Sequence, residues 1–134
     1  MGELLEKYVA GSTANVTVST TTETVLAVSD AVTVPVHTCV VHIRAWAQVT
    51  SGVAATSLTA RIRQGSGITG PVVGEANLVT LAAAAGGNEA VIIEAVERRS
   101  NISAVQYSFT VQQTDASGDA MGLQSLIEVE VLTG

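Results

Sequence analysis

Hydrophobic and polar side chains alternate along most of this chain, from about residue 13 to its end. The clearest example is CVVHIRAWAQVT, residues 39–50, in which every odd-numbered position is apolar. A period of two is that of a β-strand, because successive side chains of a strand point to opposite faces. We therefore predict a long strand here, with one face in a core and the other, carrying Arg44 and Trp46, turned outward.

The same alternation recurs in shorter segments that are separated by turn-forming residues. The apolar runs fall within residues 16–18, 32–36, 58–63, 78–81, 91–93, 105–112 and 123–131. Gly, Ser, Asn and Asp cluster between them, and Pro35 marks its segment as an edge strand or a strand end. With no helical period between these runs, the pattern predicts an all-β protein, an antiparallel β-sandwich of about eight strands.

The composition is consistent with one domain built on such a core. The chain has 134 residues, of which 47% are hydrophobic and only 3% aromatic. The core must therefore come from Val, Ile, Leu and Ala, and the abundant β-branched residues suit a pleated surface. A chain of this length buries enough surface to fold without disulfides or metals.

The first residues have a different period. In residues 2–9 the side chains of Leu4, Leu5, Tyr8 and Val9 would share one face of a helix. We predict a short N-terminal helix or arm over residues 1–11, followed by the sandwich domain over 12–134. Such a short helix is unstable alone, so it is either a frayed terminal turn or an arm that packs on a neighbouring subunit.

The charge balance argues against nucleic acid as a partner. The net charge is −6, and the six lysine and arginine residues are scattered, whereas binding to a phosphate backbone requires clustered cations. No apolar run is long enough to span a membrane, and the first residues lack the features of a signal peptide. We therefore expect no membrane partner, and synthesis in the cytoplasm.

GSGITG, residues 65–70, matches the glycine pattern of dinucleotide-binding loops. In those loops the last glycine opens a helix whose N-terminus holds the pyrophosphate. Here Pro71-Val72-Val73-Gly74 follows, which indicates extended chain. We interpret the motif as a mobile hairpin loop whose glycines supply positive φ, and we expect no bound nucleotide or other cofactor.

Metal binding is also not expected. His37 and Cys39 would share one face of a strand and His42 the other, so the three cannot close a tetrahedral zinc shell without a bulge in the strand. The acidic turn at residues 115–119 has too few carboxylates for a typical calcium loop. Cys39 is the single cysteine and lies in an apolar run, which favours a buried, inert thiol.

No set of residues predicts catalysis. Glu128 and Glu130 lie two apart on one strand face, whereas glycosidase carboxyls face one another across a cleft. We expect the two glutamates to face solvent or a neighbouring subunit, with Arg44, Arg61, Arg63 and Glu94 on outward faces as candidate cross-strand partners. Serine does not occur in a nucleophile-elbow pattern. We therefore expect a protein that is not an enzyme.

The outward-facing residues are better suited to binding another protein. Trp46 stands between Arg44 and Gln48 and would either stack on a sugar or anchor a subunit interface. Trp and Arg are both enriched at interfaces, which favours the second possibility. The predicted interface residues are Leu4, Leu5, Tyr8, Val9, Arg44, Trp46, Arg61 and Arg63.

Three stretches carry a resemblance to a known group of proteins. SLTARIRQGSGITGPVVGEAN, SAVQYSFTVQQTDASGDA and LIEVEVL resemble segments of small β-sandwich structural proteins of tailed bacteriophages, the capsid decoration (cement) proteins and related head and tail components. The resemblance covers residues 12–133 and rests on strand pattern and turn composition.

This resemblance implies a jelly-roll-like fold, no catalytic residues and a homo-oligomer, commonly a trimer. It implies a virion protein that sits on the capsid exterior, contacts the major capsid protein and stabilises the shell. The alternative is a fibre, tail or adhesin-type binding module that recognises a host glycan through Trp46 and loop residues.

Overall fold

The structure is a computed structural model that describes residues 4–12, 17–18, 22–34, 38–51, 56–81, 88–100, 102–113, 120–121 and 125–133. Within these ranges every regular element is a strand. The strands are β1 (Leu4–Ser12), β2 (Thr17–Val18), β3 (Thr24–Val28), β4 (Val32–Val34), β5 (Cys39–Ser51), β6 (Thr56–Gln64), β7 (Val72–Leu81), β8 (Asn88–Arg99), β9 (Ile102–Val105), β10 (Tyr107–Gln113), β11 (Ala120–Met121) and β12 (Ser125–Thr133). No helix in the described ranges has the length and hydrophobicity to cross a membrane.

The strands form two main antiparallel sheets. The first sheet has the order β1-β12-β5-β8, and the short β11 and β2 extend it beside the far end of β5. The second sheet has the order β3-β10-β6-β7. A separate two-stranded ribbon joins β4 to β9.

The connectivity is that of a jelly roll. Counting only the eight longer strands of the two sheets, the first sheet has the order first, eighth, third, sixth, and the second sheet the order second, seventh, fourth, fifth. The chain crosses between sheets at every connection except that from β6 to β7. This arrangement is two interlocked Greek keys, so the predicted antiparallel sandwich and its jelly-roll character are confirmed.

The core lies between the sheets and is formed by alternate residues of each long strand. On β5 the predicted inward positions are all buried from Cys39 to Ala47, and on β12 the same holds for Ile127, Val129 and Val131. Tyr107 and Phe109 of β10 are the largest fully buried side chains. A hydrogen bond from Ser125 Oγ to the carbonyl oxygen of Leu26 (3.0 Å) joins the two sheets.

The predicted N-terminal helix is wrong, because Leu4–Ser12 is a strand. β1 pairs antiparallel with β12 along its length, from Leu4 opposite Leu132 to Ser12 opposite Ser125. Pairing satisfies the backbone groups of the otherwise unpaired side of β12, which an isolated short helix would not do. Tyr8 and Ala10 pack on the core, whereas Val9 is exposed, so the period from Lys7 onward is two. The register shifts between Leu4 and Glu6, and Leu4 faces outward.

Candidate interaction surface

The outward side of β8, β5, β12 and β1 forms one continuous surface, which we call the exposed face of the first sheet. Its first row crosses the four strands through Ile92, Trp46, Leu126 and Gly11, which lie opposite one another in register. Ile92 is 60% exposed and Trp46 half-buried. Because cross-strand neighbours lie about 5 Å apart, this row is a contiguous apolar strip.

A second apolar strip lies at the other end of the same face. Val40 of β5 is opposite Leu132 of β12, and Leu132 is opposite the exposed Leu4 of β1. Arg98 of β8 ends this row on the far side of Val40. Two apolar strips therefore bracket the face.

The rows between the strips carry charges that pair with each other. Glu94 of β8 accepts a hydrogen bond from Arg44 Nε (3.1 Å) and lies 3.3 Å from His42 Nε2, both on β5. The hydrogen bond with His42, and then the charge of Arg44, lower the pKa of Glu94. Its charge is thus balanced within the face.

Lys7 plays the same part on the other side of the face. Its Nζ lies 3.3 Å from Glu128 and 3.9 Å from Glu130, both on the adjacent β12. The pairing predicted for Glu128 and Glu130 with Arg61 and Arg63 is wrong, because those arginines lie on the second sheet. The sequence does not indicate Lys7 as their partner, because the spacing of residues 2–9 predicts a helix and not a strand beside β12.

Most of the exposed large hydrophobic side chains gather on this face. Seven are found in the described part of the chain, and five of them belong to the exposed face of the first sheet. These five are Leu4, Val9, Ile92, Val96 and Leu126. Exposed hydrophobic side chains that gather on one face in this way are typical of a protein-binding surface.

The outer face of the second sheet is built differently, around Glu23. This carboxylate, only 9% exposed, accepts hydrogen bonds from Arg63 Nε (2.6 Å), Arg63 Nη2 (2.8 Å), Arg61 Nη1 (3.2 Å) and Thr110 Oγ1 (2.6 Å). Arg61 also donates to Glu75 and Gln112. The hydrogen bond from Arg63 is the main cause that lowers the pKa of Glu23.

The structure thus separates the eight residues predicted for an interface. Leu4, Val9, Arg44 and Trp46 lie on the exposed face of the first sheet. Tyr8 turns inward, where its hydroxyl oxygen lies 3.5 Å from the backbone nitrogen of Thr33. Arg61 and Arg63 belong to the Glu23 network, and the side chain of Leu5 is outside the described part.

The glycine motif at residues 65–70 is the loop of the β6–β7 hairpin. Gly65 has a φ of +100°, as predicted, and a Cβ at Gly70 would overlap the carbonyl oxygen of Gln64. The loop does not project as a free tip, because Ser108 Oγ donates to the Gly67 carbonyl (2.7 Å) and Arg63 Nη1 to that of Gly70 (2.8 Å). It instead covers Ser108, which is fully buried.

The candidate metal ligands are placed as follows. Cys39 is buried in the core and His42 lies on the opposite face of β5, as the strand period predicts. His37 and residues 115–119 lie outside the described part of the chain. Across the ranges that are described, no three His, Cys, Asp or Glu side chains come together as a metal site.

Similarity to known proteins is found at the level of the fold. No protein-family model matches the chain, and no curated protein sequence does. A solved structure of the Eiger TNF from S. frugiperda superposes with a TM-score of 0.49 at 10% sequence identity, covering 96% of this chain and 92% of that one. At this level the similarity carries no conclusion about activity or partners.

Proposed function

We propose that this chain is a virion structural protein, a capsid decoration protein that binds the exterior of a tailed-phage capsid as a homo-oligomer. It is made in the host cytoplasm, and the trimer is the expected state, as in the phage proteins that its sequence resembles. The exposed face of the first sheet is the proposed subunit contact, and the major capsid protein is the second partner.

The observation that carries the proposal is the chemistry of that face. Five exposed hydrophobic side chains lie on it, and its charged groups already pair with each other at Glu94 and Lys7. A partner that covers the face therefore removes apolar area from water without leaving Arg44 or Glu128 unpaired. Buried apolar area stabilises such a contact by about 25 cal/mol per Å², before the cost of association.

The same face argues against a sugar-binding role for Trp46. The neighbours of Trp46 in its row are the apolar Ile92 and Leu126. Of its polar neighbours along β5, Arg44 and Gln48, the first is already engaged by Glu94. A tryptophan between two apolar side chains is typical of the centre of a protein interface. A glycan array with Trp46→Ala as control tests the alternative of a fibre or tail module.

The test of the capsid role uses capsids assembled without this protein. Wild-type protein should bind them stoichiometrically and raise their melting temperature, and light scattering of the free protein should give a multiple of 13.7 kDa. A protein that stays monomeric and leaves capsids unchanged would show that the proposal is wrong.

A matched pair of variants locates the contact. Ile92→Asp places a charge in the proposed contact and should weaken self-association by on the order of 100-fold. Val72→Asp introduces the same charge at an exposed position of β7, outside this face, and should associate like the wild type. Equal behaviour of the two variants would place the contact elsewhere.

A further inference from the structure

A cleft of about 520 Å³ lies at one end of the sandwich, beside the base of the β6–β7 hairpin and the start of β10. This volume is within the range of about 300–1,000 Å³ that is common for small-molecule sites. Its apolar lining includes Ala31, Pro71 and Val105, and its polar lining is Gln64, Arg99 and Gln106. The cleft is separate from the exposed face of the first sheet.

Each polar side chain of the cleft is held in place by a second group. Gln64 Nε2 donates to Glu97 Oε1 (2.8 Å), and Arg99 Nη1 donates to Glu97 Oε2 (3.3 Å). Gln106 Nε2 donates to the carbonyl oxygen of Ser29 (3.3 Å). Because a carboxylate and a carbonyl only accept hydrogen bonds, both amides are fixed with their nitrogen toward the protein.

Glu97 is the anchor of this arrangement. It also accepts a hydrogen bond from the hydroxyl of Tyr107 (2.8 Å), whose pKa is raised by burial and then by Glu97 itself. Tyr107 therefore stays a donor at all ordinary pH values. With three donors around it, Glu97 acts as a support for Gln64 and Arg99.

The remaining polar atoms of the cleft are open to a ligand. In the described part of the chain, no buried side-chain nitrogen or oxygen lacks a hydrogen-bond partner. The hydrogen bonds of Gln64 and Gln106 use their nitrogens, and that of Arg99 uses Nη1. Two amide oxygens that accept and a guanidinium edge that donates are thus left accessible.

From this set we infer that the cleft binds a neutral sugar unit. A hydroxyl group both donates and accepts, so adjacent ring hydroxyls match two amide oxygens and a guanidinium edge. A free carboxylate only accepts, and it would meet the oxygens of Gln64 and Gln106 unfavourably. Pro71 and Val105 offer apolar contact to the C–H side of a sugar ring. The inference does not depend on the proposed capsid role.

The test is an NMR titration of the ¹⁵N-labelled full chain with glucose, galactose, mannose and N-acetylglucosamine. At least one should give saturable shifts of the side-chain amides of Gln64 and Gln106 and of the Gly65 backbone amide. Acetate serves as the anion arm and should leave these signals in place. No shift with any sugar, or a shift with acetate alone, would overturn the inference.

Two variants and one control connect the shifts to the cleft. Arg99→Gln removes a charged donor and should weaken sugar binding by at least about tenfold. Arg98→Gln changes the neighbouring arginine, whose side chain is exposed on the first sheet, and should bind like the wild type. Should Arg99→Gln lower the melting temperature, Gln106→Leu provides the second test. Wild-type affinity in a folded variant of either residue means that the sugar binds elsewhere.

Discussion

The outer faces of the two sheets start from the same strand pattern and end with opposite properties. On the first sheet, Ile92 and Val96 are 60% and 62% exposed, and the ion pair of Arg44 with Glu94 beside them is exposed as well. On the second sheet, Ser108 and Thr110 occupy equivalent outward positions and yet are fully buried. Ser108 and Thr110 are buried because two segments outside the strands cover them. The loop at residues 65–70 lies over Ser108, and Glu23 lies over Thr110.

An outward-facing residue is therefore not automatically available to a partner. Arg61 and Arg63 occupy outward positions of β6, as Arg44 does on β5, but their guanidinium groups are engaged by Glu23 and its neighbours. The second sheet has covered itself, and the first has not. This contrast supports the proposal of a subunit contact on the first sheet and not on the second.

Replacing Glu23 should lower the stability of the protein more than replacing any charged residue on the first sheet. Glu23→Gln removes the charge that Arg61, Arg63 and Thr110 share, leaving two half-buried arginines without it. We expect the free energy of unfolding to fall by about 2–3 kcal/mol, measured by urea denaturation.

Glu75→Gln is the matched control for this prediction. Glu75 bonds only to Arg61 among the described residues and is 46% exposed, so its loss should cost less than about 0.5 kcal/mol. Equal costs for the two variants would mean that the covered face is no more tightly held than an ordinary surface.

The free energy of unfolding should also depend on pH differently for variants of the two faces, and this effect is smaller. The pKa of Glu23 lies below its usual 4.5 in the folded protein, so its contribution is complete above that value and is lost as pH falls through the lowered pKa. Between pH 5 and pH 3 the advantage of wild type over Glu23→Gln in the free energy of unfolding should therefore shrink.

Glu94 supplies the contrast on the first sheet. Its pKa is also lowered, but the side chain is exposed and its ion pairs are screened by water and salt. The difference in the free energy of unfolding between wild type and Glu94→Gln should therefore stay nearly constant over the same pH range. If this difference changed more with pH for Glu94→Gln than for Glu23→Gln, the more tightly held carboxylate would be on the first sheet and not on the second.

The smallest effect is expected at Lys7. Lys7→Met removes the ion pairs to Glu128 and Glu130 on the exposed face, and exposed pairs contribute about 0–1 kcal/mol. The melting temperature of the monomer should change by no more than about 4 °C. A loss as large as that of Glu23→Gln would show that the first sheet depends on its charges in the same way.

The long strands could be predicted because their alternation is a local signal. The inward positions of β5, β6, β10 and β12, such as Ile43, Ile62, Phe109 and Val129, are buried as their spacing indicates. The hairpin at residues 65–70 could be predicted in the same way, because Pro71-Val72-Val73-Gly74 indicates extended chain where a nucleotide-binding loop needs an amphipathic helix. These features depend only on neighbours in the sequence.

Features that depend on distant partners were not visible in this way. Leu4, Leu5, Tyr8 and Val9 fit a helical spacing, and only β12, more than a hundred residues later, makes their segment a strand. Glu23 lies in a run of threonines, and the neighbouring sequence does not predict Arg61 and Arg63 as its partners. The cleft likewise joins Gln64, Arg99 and Gln106 from separate strands and loops.

The pairing of β1 with β12 also determines how the molecule responds to mechanical force. Leu4 and Leu132 lie side by side in an antiparallel pair whose hydrogen bonds run perpendicular to the strands. Tension that draws these two residues apart therefore breaks the hydrogen bonds between β1 and β12 one after another, beginning at Leu4. Tension applied along the strands would load them all together and meet a much stiffer sandwich.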